Sequence, residues 1–130
     1  MIRFNHLRVA DQFRQLRQEN PPLYAMIVAA ADYGWREYRQ PMVITSIYRP
    51  ENVASVHAWW RGVDVRIEHP ERRVRDEERG WSEVAAREII DWLPFGYPGE
   101  PEIAVIHGEG FHRHVHFQVG SGVTYAGEWE

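Results

Sequence analysis

The chain has 130 residues, no cysteine and a formal net charge of −4. That length suits one domain with its own core. The missing cysteines exclude disulfides, thiolate zinc sites and a cysteine nucleophile, and the acidic balance offers no argument for a nucleic-acid partner. All 15 basic residues are arginine, which excludes a Schiff-base or phosphate-loop lysine. No apolar run approaches the ~18 residues of a membrane span, so no membrane insertion is expected. The first residues lack the apolar core of a secretory signal, so synthesis in the cytoplasm is expected.

In chain order, residues 11–19 read as a short polar helix or turn. Pro21-Pro22 opens a clearer helix, with Leu23, Met26, Ile27 and Ala30 forming an apolar stripe and Gly34 disturbing or ending it. Met42 to Tyr48 is rich in β-branched residues and reads as a strand, and Arg49-Pro50-Glu51-Asn52 leaves it as a loop. Gly62 to Ile67 alternates as a half-buried strand does. Residues 68–80 are charged and read as irregular. Their basic cluster Arg72-Arg73-Val74-Arg75 precedes Asp76-Glu77-Glu78 and reads as a solvated, self-compensating loop rather than a phosphate site. Ser82 and Glu83 introduce a helix that Pro94 ends, and Phe95 to Gly99 is turn chemistry. Glu102–Ile106 and His114–Val119 read as strands joined by a hairpin turn, His107-Gly108-Glu109-Gly110. The order helix, strand, strand, helix, strand, strand predicts a single α+β domain over 1–130, with helices packed on an antiparallel sheet.

Chemistry concentrates in two places. His112-Arg113-His114-Val115-His116 carries three of the seven histidines at alternate positions. In a strand His114 and His116 project from one face, with His112 near its entrance. Imidazole is the commonest protein metal ligand. Upstream, six residues separate His57 from Asp64, and the two converge if the intervening chain turns back into the strand. One histidine of the later strand then completes a His, Asp, His set. Three N/O ligands with an open fourth position form a catalytic zinc arrangement, whose bound water ionises near neutrality. A mononuclear iron oxygenase wants His-x-Asp spacing, which this chain lacks. The six tryptophans and six tyrosines are expected mainly in the core, with Trp59 and Trp60 either lining a groove beside the site or packing its wall.

Three ordered blocks, Ser46-Ile47-Tyr48-Arg49, then Ser55-Val56-His57 with Asp64, then His114-Val115-His116, resemble the M15-type zinc peptidases. That family includes D-alanyl-D-alanine peptidases, phage L-alanyl-D-glutamate endopeptidases and the zinc domain of hedgehog proteins. Its pattern is S-x-Y-R, S-x-H-x(6)-D and a late H-x-H. The resemblance spans residues 43–119 and implies a hedgehog/DD-peptidase-like fold with Zn2+ as cofactor. It implies His57, Asp64 and His116 as zinc ligands, His114 beside the metal-bound water, and Arg49 as the cation that contacts substrate or polarises the scissile carbonyl.

Two positions depart from the family pattern. Trp60 stands where the family has glycine, and Gly62 where it has alanine. Arg113 occupies the position, three before the last ligand, where many members carry an acid; others carry a glutamate six before it, and here Glu109 is seven before. Glu109 is therefore the first candidate for general base, with His112 or His114 as the fallback. The expected activity is hydrolysis of an amide in a peptidoglycan stem peptide, as a cell-wall-degrading or phage-type lysis enzyme that reaches the wall by release or on a virion. The alternative is a zinc-binding module without hydrolysis, as the hedgehog domains permit.

Overall fold

The computed structural model describes residues 1–51, 59–96 and 104–119. The described chain forms β1 (Ile2–Phe4), α1 (Leu7–Glu19), α2 (Pro21–Tyr38), β2 (Met42–Ser46), β3 (Gly62–Arg66), α3 (Glu83–Gly96), β4 (Ala104–His107) and β5 (His114–Gln118). The sheet order is β1-β2-β3-β5-β4. β1 runs parallel to β2 and every other pairing is antiparallel. The fold is α+β as expected, but the sheet is mixed rather than antiparallel. The difference comes from β1, whose three residues are too short for a periodic signal. Among the described residues no helix is long and apolar enough to cross a membrane.

One residue organises the junction of the first two helices. Asn20 donates its backbone N–H to Leu16 O at the end of α1, while its side-chain oxygen accepts from Leu23 N and caps α2. Pro21 and Pro22 fill the first turn of α2, where a missing N–H costs nothing. The same Asn20 side chain donates to Trp60 O at 2.9 Å, tying the helix junction to the entry of β3.

Gly34 does not end α2, which runs on to Tyr38 and closes with Arg39 in the left-handed conformation. Gly34 serves packing instead. A Cβ there would stand 2.9 Å from Trp81 Nε1 and 3.0 Å from Ile89 Cδ1. Pro94 also falls inside its helix rather than ending it, because α3 continues only to Gly96 and few bonds remain to be broken. Of the turn expected over Phe95 to Gly99, Phe95 and Gly96 instead close α3, while Tyr97 to Gly99 and the strand start at Glu102 lie outside the described residues. Residues 68–80 are mostly irregular, with one short 3-10 turn at Asp76–Glu78.

Strand alternation assigns the two sheet faces. Val63, Val65, Val115 and Phe117 are fully buried in one core with Leu16, Leu23, Ile27, Ile44, Ile89 and Leu93. Burying each such side chain contributes roughly 1.5–3 kcal/mol. The residues between them, Asp64, His114 and His116, therefore belong to the opposite face, which the helices do not cover.

Candidate metal centre

The sheet register sets the site. Asp64 pairs with His116 across β3 and β5, and Arg66 with His114. Ser46 pairs with Asp64 from β2. Between Ile44 and Ser46 the β2–β3 register shifts, a bulge centred on Thr45. Its hydroxyl donates to Asp64 O at 3.4 Å. Bulges bend a strand and re-aim its side chains, which here happens next to the carboxylate.

Asp64 is the hub. Its carboxylate, in a residue only 8% exposed, accepts from His116 Nδ1 at 2.8 Å. His114 Nε2 stands 3.8 Å from the same oxygen, and Arg49 Nη2 lies 3.8 Å from the other. His116 also contacts Gln118 Oε1 through Nε2 at 3.0 Å. His114 Nδ1 lies 2.9 Å from His112 O. A carbonyl only accepts, so Nδ1 carries that hydrogen and Nε2 is the nitrogen turned toward Asp64.

Arg49 is held by the chain before it. Gln12 on α1 accepts from Tyr48 N at 3.2 Å and donates to Tyr48 O at 3.3 Å. The Tyr48 ring stacks on Trp60 with centroids 4.4 Å apart and planes within 5°. Trp60 is thus wall packing, while Trp59 is 38% exposed. Trp60 has φ of +59°, the left-handed region that favours glycine. An indole thus occupies a backbone conformation that glycine adopts most readily.

The expected set divides as follows. Arg49, Asp64, His114 and His116 come together. His57, with Ser55 and Val56, lies outside the described residues. His112 lines a cavity of about 290 Å³ with Asp64 and His114. Glu109 is exposed on the hairpin loop and does not line that cavity. It precedes the 3-10 turn Gly110–His112, and its carbonyl accepts from His112 N at 3.1 Å. Arg113 is turned toward α3, where its Nε meets Glu83 Oε1 at 2.7 Å.

Two residues escaped the sequence reading. His107 is the last residue of β4 rather than the first of a turn, and pairs with His114. Its ring lies parallel to that of His116 at 5.8 Å and edge-on to that of His114 at 5.9 Å. Counting back from His114 across a longer loop would have placed it there. Arg72 joins the cavity wall, and no signal within its basic cluster separates it from its neighbours.

The donor set fits a small cation in part. Adjacent ligands on a tetrahedral zinc stand about 3.3–3.5 Å apart, so Asp64 and His116 need to part by roughly 0.5 Å to exchange their hydrogen bond for a shared metal. Among the described residues no group of three or more His, Asp or Glu could hold a metal ion. The resemblance assigns the third ligand to His57, which lies outside the described residues. No protein-family model, curated protein or solved structure matches the chain.

Proposed function

We propose that the chain is a zinc-dependent peptidase of the M15 type, with a hedgehog/DD-peptidase-like fold, that hydrolyses an amide in peptidoglycan stem peptides. The observation that carries this reading is the meeting of Asp64 with His116, His114 and Arg49 around one carboxylate. These residues come from three separated segments, which are those the resemblance assigns to the site. His57, Asp64 and His116 would hold the zinc. Bound there, zinc supplies a Lewis acid and a water that ionises near neutral pH.

The other roles belong to the chain. Arg49, fixed through Tyr48 by Gln12, places a cation where negative charge develops on the carbonyl oxygen. His114, its tautomer set by His112 O, hydrogen-bonds the reacting centre. A base must take the proton of the attacking water and return it to the leaving amine. His112 has the stronger claim because it lines the Asp64 cavity; Glu109 requires the hairpin loop to move. Such an enzyme acts at the cell wall, reached by lysis-type release or on a virion.

The test measures zinc content together with release of new amino groups from purified peptidoglycan, for wild type, His112→Ala and Glu109→Ala. The expected result is about one zinc per chain, cleavage by wild type, and a loss of 10²-fold or more in the variant that lacks the base. Bound zinc with no cleavage of any wall chemotype replaces the peptidase by the non-hydrolytic zinc module. No bound zinc overturns both.

A further inference from the structure

We propose that Arg72 forms an anion-recognition subsite and that the substrate presents a carboxylate to it. This rests on reading the Asp64 cavity as the substrate site. Three arginines line that cavity, Arg66, Arg72 and Arg113. Two are committed to acids within the fold. Arg66 Nε meets Glu68 Oε2 at 2.9 Å, and Arg113 Nε meets Glu83 Oε1 at 2.7 Å. Among the described residues no carboxylate pairs with Arg72. Its Nη2 donates to Phe111 O at 2.9 Å, its guanidinium stands 5.3 Å from the Phe111 ring centroid, and its Nε is buried without a hydrogen-bond partner.

A half-buried guanidinium with no counter-charge is costly to keep, and a carboxylate that meets its fork of donors supplies one. Among the described residues the only acid in the cavity wall is Asp64, which already faces Arg49, His114 and His116. The wall therefore attracts anions, and Arg72 is the cation in it that a ligand can claim.

The side chain is also positioned in advance. Arg72 N donates to His69 O at 2.9 Å, and Glu71 N donates to His69 Nδ1 at 3.1 Å. The His69 ring meets Phe111 edge-on at 4.7 Å. These contacts clamp the segment bearing Arg72 onto the loop bearing His112. Preorganisation of this kind is what a specificity contact needs.

The experiment titrates the full chain with two peptides by NMR, N-acetyl-alanyl-glutamate amide and its glutamine counterpart, each in both configurations of the second residue. These differ by one side-chain carboxylate. The wild type is expected to bind one glutamate isomer at least about tenfold tighter than the matching glutamine peptide. Arg72→Gln is expected to lose that preference with little change for the glutamine peptide, and Arg72→Lys to keep part of it. Equal binding of the two peptides by wild type overturns the proposal, as does an undiminished preference in Arg72→Gln. If Arg72→Gln does not fold, Arg72→Lys decides: a preference as large as that of wild type counts against a bidentate arginine subsite. Binding is read without turnover, so failure of zinc binding or hydrolysis sinks the peptidase reading and leaves this result standing.

Discussion

Asp64 shows how one position acquires a chemical role from its neighbours. Val63 and Val65 are fully buried in the core, so the residue between them belongs to the opposite face, where His116 faces it in register. Trp60 shows the converse, a residue tolerated in a conformation suited to another. Its φ of +59° is unfavourable for any side chain, and stacking on Tyr48 compensates. Trp60→Gly and Trp60→Ala both lose that stack, but only glycine relieves the backbone. We expect Trp60→Gly to be the more stable of the two by about 1 kcal/mol, the reverse of the usual order inside regular structure. Urea denaturation of the pair checks this, and a more stable alanine variant contradicts it.

The β4–β5 hairpin is the element on which the site depends. It sets His107 opposite His114 and Val105 opposite His116, and its loop returns His112 to the cavity. The loop is braced against α3 by Arg113 and Glu83. The hydrogen bond from Arg113, then that from Arg87, holds the Glu83 carboxyl below its ordinary value. A depressed folded value means that this group stabilises the fold above the usual carboxylate range. The contribution disappears as pH falls through the depressed value. Wild type is therefore expected to exceed Glu83→Gln in stability at neutral pH, with the gap closing on acidification below the usual carboxylate range. The pair is partly exposed, so the gap is small and narrows with added salt. Thermal melts of both proteins across acid pH test it, and a gap that widens toward low pH is the contrary result. In α2, Gly34 illustrates how an element can keep a poor helix former. The indole of Trp81, 0% exposed, leaves no room for a Cβ.

At the scale of the molecule, helices cover one face of the sheet and leave the other to polar chemistry. The candidate centre joins the segment after β2 to β3 and β5, elements that meet only in the folded state. A ligand that binds there stabilises the fold by mass action. Zinc at about a hundred times its Kd is expected to add about 2.7 kcal/mol and raise Tm by several degrees. A chelator should reverse the shift, and Asp64→Asn and His57→Ala should abolish it. A zinc shift that persists in Asp64→Asn places the metal elsewhere.

Much of this is legible in the sequence. Alternation marked β3 and β5 and separated Asp64 from its valine neighbours, because a pleated strand repeats every two residues. The proline pair and apolar stripe marked α2 for an equally local reason. Helix ends resisted, since Gly34 and Pro94 carry general tendencies that a neighbouring indole or a nearby helix terminus overrides. Spacing alone marked His114, His116 and Asp64 as site residues, while Arg49 came only from the family resemblance. Their convergence on one carboxylate could not be read in either way, because sheet register and the bulge at Thr45 are long-range facts. The short parallel β1, the place of His107 beside the other imidazoles and the singling out of Arg72 depended on the same thing: which distant segments the packed sheet brings within a few ångströms.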